Sequence, residues 1–297
     1  MMSRITSRAA TCFALVAFAT GAQSAAIYSL ANDGTSLVRF DSAAPGSVTT
    51  VGAISGATTS LNGLDFRPAN GFLYGYQQAS SGIYIVNIAT GATTLVSTSN
   101  LSVTSALLGI DFNPTVDRLR LVTVNDENRR INVDNGVNAT PGGDGPLAYA
   151  GGDANAGTDP NIIDAAYTNS DSNPATGTTL YYIDYVLDTL VSTTNPNGGV
   201  LNTVGALGVD TDRFVGFDIL TDLNGTNTAF ASLRVGGVER LYTINLISGA
   251  ASSIGTIGAD GLYGLALVQP AAVAEPGSLA LVAIAGLAAF GLRRRSR

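Results

Sequence analysis

Gly63-Leu64-Asp65-Phe66-Arg67-Pro68 returns as Gly109-Ile110-Asp111-Phe112-Asn113-Pro114, then as Gly216-Phe217-Asp218-Ile219 and, in degraded form, as Gly264-Leu265-Ala266-Leu267. Asp164-Ala165-Ala166-Tyr167 fits the same place with Asp where the others carry Gly. The starts fall at 63, 109, 164, 216 and 264, at intervals of 46, 55, 52 and 48 residues. Self-similarity at about 50 residues is the mark of a repeat architecture.

A second element accompanies most copies. Ile83-Tyr84-Ile85-Val86-Asn87 precedes Ala89-Thr90-Gly91, and Leu241-Tyr242-Thr243-Ile244-Asn245 precedes Ile247-Ser248-Gly249. Leu180-Tyr181-Tyr182-Ile183-Asp184 and Leu37-Val38-Arg39-Phe40-Asp41 are weaker versions. A β-rich run ending in Asn or Asp, a Gly-containing turn and a Thr/Ser/Val run read as a β-hairpin. With the Gly-x-Asp-Phe strand and one more, each period holds four strands, which is one propeller blade. The first unit, 27–54, has three strands and the last, 264–268, has one. Three and one complete a blade. The expected fold is therefore all-β, a five-bladed β-propeller closed by pairing of the C-terminal strand with the N-terminal blade. A six-bladed propeller, a β-solenoid and a β-sandwich are the alternatives. Closure requires 262–268 to lie beside 27–31, and it removes sheet edges that would template aggregation.

The ends of the chain have a different character. Arg4 and Arg8, an apolar run from Ala9 to Thr20, and small residues around Ser24 to Ala26 form a secretory signal peptide over 1–26, for signal peptidase. Cys12, the one cysteine, lies within it, so the mature chain carries no disulfide. At the other end, 277–292 is an uncharged apolar stretch followed by Arg293, Arg294, Arg295 and Arg297. Its length suits one transmembrane helix, and the arginines would stay cytoplasmic. The propeller domain thus occupies 27–270 and the tail 271–297. The tail resembles the PEP-CTERM sorting signal of exopolysaccharide-producing Gram-negative bacteria, with Glu275 and Pro276 supplying two residues of its Pro-Glu-Pro core and Ala274 replacing the first. That resemblance implies recognition by an exosortase, a transient inner-membrane anchor, and release to the cell surface or extracellular matrix.

Composition narrows the chemistry. The 297 residues contain no His, and every one of the 15 basic residues is Arg. Ser-His-Asp catalysis, imidazole-held metals, Schiff bases and the P-loop lysine are excluded. Between 27 and 270, 19 Asp and 2 Glu stand against 9 Arg, a net charge of −12. Such a surface repels nucleic acid and anionic membrane and attracts cations.

Three sets of residues are candidate sites. Asp65, Asp111 and Asp218 occupy equivalent blade positions. They form either a ring of carboxylates at one channel mouth, for a cation or a polar sugar, or structural acceptors of backbone N–H groups, which repetition favours. Asp153, Asn155, Gly157 and Asp159 resemble the first half of a calcium loop, without the closing bidentate Glu. The simpler reading is a turn between blades. Arg118, Arg120, Arg129 and Arg130 either bind an acidic glycan or pair with Asp117, Asp126 and Asp134. Glu127 and Glu239, the two Glu of the core, fall in turns near Arg, where solvated ion pairs are expected.

The core resembles a bacterial family known as domain of unknown function 4394. The resemblance rests on the Gly-x-Asp-Phe-x-Pro copies, on Asn113-Pro114 with Asp117-Arg118 and Arg120, on the stretch 147–158, and on 201–209. At 129–136 the chain departs from the family's Pro-Asp-Thr-Gly turn. Membership implies a secreted, propeller-like domain with no assigned activity. The expected role is that of a non-catalytic interaction or structural component of an exopolysaccharide matrix or biofilm, with extracellular polysaccharide as partner. A carboxylate-based enzyme acting on polysaccharide and a calcium-stabilised adhesion module are the alternatives.

Overall fold

The computed structural model describes residues 24–270, apart from 59, 141, 142, 172 and 174. The residues of the signal peptide before 24, the tail helix and the sorting residues Glu275, Pro276, Arg293, Arg294 and Arg295 lie outside the described residues. Among those described, no helix is long and apolar enough to cross a membrane.

Among the described residues, twenty-one strands form five sheets arranged as a five-bladed propeller. Blade 1 is β21 (Tyr263–Leu267), β1 (Ala26–Ala31), β2 (Ser36–Asp41) and β3 (Ala44–Ala53). Blade 2 runs β4 (Gly63–Phe66), β5 (Leu73–Gln77), β6 (Gly82–Val86), β7 (Thr93–Thr98). Blade 3 runs β8 (Leu108–Asn113), β9 (Arg118–Thr123), β10 (Asn128–Asn132), β11 (Val137–Asn138). In blade 4, β12 (Ala148–Tyr149) adds a parallel edge to β16 (Val200–Ala206), outside β15 (Thr189–Asn195), β14 (Leu180–Asp184) and β13 (Ile162–Tyr167). Blade 5 runs β17 (Thr211–Thr221), β18 (Asn227–Val235), β19 (Val238–Ile244), β20 (Ala251–Thr256). The innermost strands neighbour one another in the order β4, β8, β13, β17, β21 and back to β4. The ring closes as the repeat arithmetic requires: Ile27 pairs with Leu267, Tyr28 with Ala266 and Ser29 with Leu265.

The core is divided. Five apolar clusters fill the five gaps between neighbouring blades. The motif explains how. The Phe of each Gly-x-Asp-Phe copy packs edge-on against a Tyr of the preceding blade, Phe66 on Tyr28 at 5.8 Å and Phe112 on Tyr74 at 5.3 Å between ring centres. Such a pair adds about 1 kcal/mol to the apolar burial.

The hairpins behave as the Asn and Asp residues indicate. Oδ1 of Asp41, Asn87, Asn132 and Asn245 each accepts the backbone N–H two residues on, at 2.8–3.1 Å, an Asx turn at the third-to-fourth strand connection. Gly136 completes one of these turns at φ +72°, and a Cβ there would lie 2.1 Å from the Thr98 carbonyl oxygen of the blade before. Only Gly satisfies both the left-handed backbone and the close approach. Blade 4 corrects the sequence reading. Leu180–Asp184 is its second strand, pairing with β13, and Asp184 caps the following turn. The equivalent third-to-fourth turn lies at Asn195, whose Oδ1 accepts the Gly198 N–H at 3.1 Å.

Candidate functional site

The five innermost strands all run from one end of the channel to the other, so a residue at a given repeat position lies in one layer around the axis. The first layer is Gly63, Gly109, Asp164, Gly216 and Gly264. The layer two residues on is Asp65, Asp111, Ala166, Asp218 and Ala266. In the first layer a Cβ on Gly216 would fall 2.8 Å from the Leu265 Cβ, and one on Gly109 only 2.2 Å from the Asp164 Oδ1. The strands approach so closely that the repeat needs Gly there, and the one side chain present, Asp164, occupies the space that Gly109 leaves.

Every axial Asp stitches its blade to the next. Asp65 Oδ2 accepts the Phe112 N–H at 2.7 Å, and Asp111 Oδ1 the Tyr167 N–H at 3.2 Å. Asp218 Oδ2 accepts the Leu267 N–H at 2.6 Å. In each case the donor is the residue just after the neighbouring blade's equivalent position. Asp164 repeats the bond one layer up, taking the Phe217 N–H at 2.8 Å. Where the preceding blade carries Ala, the donor that blade leaves free is taken by the local Asp: Asp218 Oδ1 accepts the Ile219 N–H at 2.6 Å, and Asp65 the Phe66 N–H. Asp111 differs, because the Phe112 N–H is already held by Asp65.

The electrostatic consequence is severe. Oxygens of Asp65, Asp111 and Asp218 lie within 4.8 Å of one another, and all three residues are buried. Burial, with the charge of its neighbours, raises Asp65 and Asp111 well above the usual carboxylate range. Burial also raises Asp164, and it pushes Asp218 up to about 7. The backbone N–H bonds pull the other way without overcoming desolvation. Burial and mutual repulsion favour the protonated form of the cluster, and it is the one group of three acidic residues among those described whose geometry suits a metal ion. Sequence reasoning placed Asp65, Asp111 and Asp218 together but not Asp164, whose Gly-to-Asp exchange in the repeat was the available signal.

The other candidates are dispersed. Asp153 Oδ1 accepts the Asn155 N–H at 2.9 Å and the Thr203 hydroxyl at 2.7 Å, and its Oδ2 accepts the Thr203 N–H at 2.6 Å. Asn155 also donates to Thr203, at 2.9 Å. These bonds fasten the loop to β16. Gly157 turns at φ +80°, and Asp159 faces Asp126, which burial and that neighbouring charge push up to about 6. Asp126 thus faces a carboxylate rather than the expected arginine. Arg120 and Arg130 converge on Asp144, at 2.6 and 2.7 Å. Asp117 and Asp134 pair instead with Arg67 of the preceding blade, at 2.6 and 2.8 Å. Arg118 donates to backbone oxygens of Val116 and Asp117. Arg129 stands 3.9 Å from Glu127, whose carboxylate accepts the Thr104 N–H. Glu239 is fully buried, against the expected solvated ion pair. Its Oε1 accepts the Gly261 and Leu262 N–H groups, and burial raises it to about 7.

A cavity of about 270 Å³ opens where the innermost strands begin. Leu108, Ile163 and Val215 form apolar wall, and Asp33, Ser60, Asn62, Arg213, Phe214 and Tyr263 supply polar and aromatic groups. These come from all five blades and their connections, so no local pattern marked them.

Fold and axis define a five-bladed propeller whose repeat motif serves closure between blades. The chain belongs to the family described as Domain of unknown function (DUF4394), whose model matches residues 36–266. No curated protein matches. Among solved structures, a Bacteroides caccae protein of unknown function is similar at 12% identity and a TM-score of 0.46, over 82% of this chain and 86% of that one. A Kuenenia stuttgartiensis hydrazine synthase is similar at 14% identity and a TM-score of 0.41, over 69% of this chain and 52% of that one. A putative 6-phosphogluconolactonase from Bacteroides uniformis is similar at 15% identity and a TM-score of 0.34, over 80% of this chain and 68% of that one. The chain thus spans about half the length of the hydrazine synthase chain.

Proposed function

We propose that this protein is an exported, non-catalytic propeller that engages extracellular polysaccharide at the mouth of its channel, as a surface or matrix component. The observation that carries the reading is the cavity, with apolar wall, aromatic rings and polar rim in one concavity, the usual make-up of a small-ligand site. Chain direction supports it. The start of β1 pairs with the end of β21, so the described residues begin and end at the end of the channel away from the cavity. A tail held by an exosortase or a membrane would leave the mouth facing outwards. The axial carboxylates support a binding role over the alternative of a carboxylate-based enzyme, because they are buried and each spends one oxygen on a bond to the next blade.

A glycan array probed with the purified protein tests this. Binding to at least one polysaccharide class, weakened by Phe214→Ala, is expected. Signal no higher than background across all classes, with a folded protein, refutes it. Calorimetric titration with calcium separates the reading from that of a calcium-stabilised adhesion module, which requires saturable heat lost in Asp153→Ala.

A further inference from the structure

The arginines of the propeller are, for the most part, occupied. Arg67, Arg120, Arg129, Arg130 and Arg234 have carboxylate partners, at 2.6 to 3.9 Å. Arg213 is different. It is exposed at the cavity, has no carboxylate partner among the described residues, and its guanidinium lies over the Phe214 ring at 5.4 Å. A second guanidinium, that of Arg234, lies 4.8 Å from the same ring. Arg234 is paired with Asp212 and Asp33 lines the same cavity, so Arg213 is the cation the mouth leaves available to an acidic ligand, on a domain whose net charge of −12 otherwise repels one.

The remaining polar groups complete a pattern. The Tyr263 and Ser60 hydroxyls line the same cavity, and Tyr263 is kept protonated by burial and by the nearby Asp33 charge, which raise its pKa. A protonated phenol donates. Asp33 supplies an acceptor. The volume, about 270 Å³, lies just below the usual range for drug-sized ligands, which suits a single sugar ring.

From this we infer that the mouth takes a carboxylated sugar residue, a uronate unit, with Arg213 pairing its carboxylate, the hydroxyls of Tyr263 and Ser60 donating to ring or hydroxyl oxygens, and Asp33 accepting from a sugar hydroxyl. The planar fork of Arg213 matches a carboxylate in two parallel N–H···O bonds, a geometry that Lys does not reproduce. The inference rests on the polysaccharide reading above and narrows it to acidic glycans.

The test is titration of the purified full chain with polyglucuronate oligosaccharides and with neutral glucan oligosaccharides of equal length, at low and at 0.5 M salt. Arg213→Gln and Arg213→Lys are compared with the parent, with melting temperatures as the folding control. The parent is expected to bind the uronate series and to lose at least tenfold in affinity in Arg213→Gln, with partial recovery in Arg213→Lys and weakening in salt. Equal binding of charged and neutral series, or an Arg213→Gln variant that binds uronate as the parent does, overturns the assignment while leaving the polysaccharide reading in place. No binding of either series overturns the assignment, and background signal across every class of the glycan array overturns the polysaccharide reading as well.

Discussion

Replacing Asp111 by Asn should make this protein more stable at neutral pH, and the gain should vanish in acid. Asp111 accepts one backbone N–H, from Tyr167. An Asn carbonyl keeps that bond, and its amide can donate to the oxygens of Asp65 and Asp218, within 4.8 Å. Two charges about 5 Å apart repel by roughly 3 kcal/mol at an effective dielectric constant of about 20. The native state avoids most of this by holding protons. A carboxyl whose native pKa is raised lends stability that is complete below its unfolded pKa, near 3.9, and lost as pH climbs through the native value. With Asp218 at about 7 and Asp65 and Asp111 also raised, the window runs from about pH 4 to beyond neutrality. One retained proton costs about 1.4 kcal/mol per pH unit across it, a ceiling of about 4 kcal/mol at pH 7. Part of that proton passes to Asp65 and Asp218 in the variant, so a gain of about 2 kcal/mol at pH 7 and near zero at pH 4 is expected. Urea unfolding in EDTA, followed by far-UV circular dichroism or tyrosine fluorescence (the chain has no Trp), gives both numbers. A variant less stable than the parent at pH 7.5, or a difference that does not change with pH, refutes the account of the ring.

Glu239→Gln keeps the acceptor for Gly261 and Leu262 while removing a carboxyl raised to about 7. Its melting temperature should match the parent's at pH 5 and exceed it at pH 8.5, and a lower value at pH 8.5 contradicts the sign. Asp144→Ala strips the partner from Arg120, 1% exposed, and should cost about 3–5 kcal/mol in denaturant unfolding, the range for an abandoned buried charge. A loss below 1 kcal/mol would show that the pair is not buried in solution. Gly136→Ala and Gly157→Ala both place a Cβ on left-handed backbone, at φ +72° and +80°. That alone costs about 1–2 kcal/mol, but only Gly136 meets a carbonyl oxygen, so its variant should be distinctly less stable. Equal melting temperatures for the two would remove the close approach between blades.

Much of the fold was legible because its cues are local. The period-50 copies, the Asx residues at hairpin ends and the three-plus-one strand count are properties of short segments, and turn chemistry and strand alternation act over a few residues. They determined the all-β class, five blades and the pairing of 27–31 with the last strand. They were ambiguous where two strands of one blade look alike, and Asp184 was placed one hairpin late for that reason.

The tertiary structure decided what the repeated residues do. Asp65 reaches Phe112, Asp111 reaches Tyr167, and Asp218 reaches Leu267, bonds across 47, 56 and 49 residues. Arg67 finds Asp117 and Asp134 a blade away, although nearer arginines were available in sequence. The cavity gathers Asp33, Ser60, Arg213 and Tyr263 from distant turns. A sequence announces periodicity, because each blade must satisfy its own backbone. It does not announce partners between blades, because any donor at the right height on the neighbouring strand satisfies a carboxylate equally well, and only the radius and stagger of the closed ring select which one arrives.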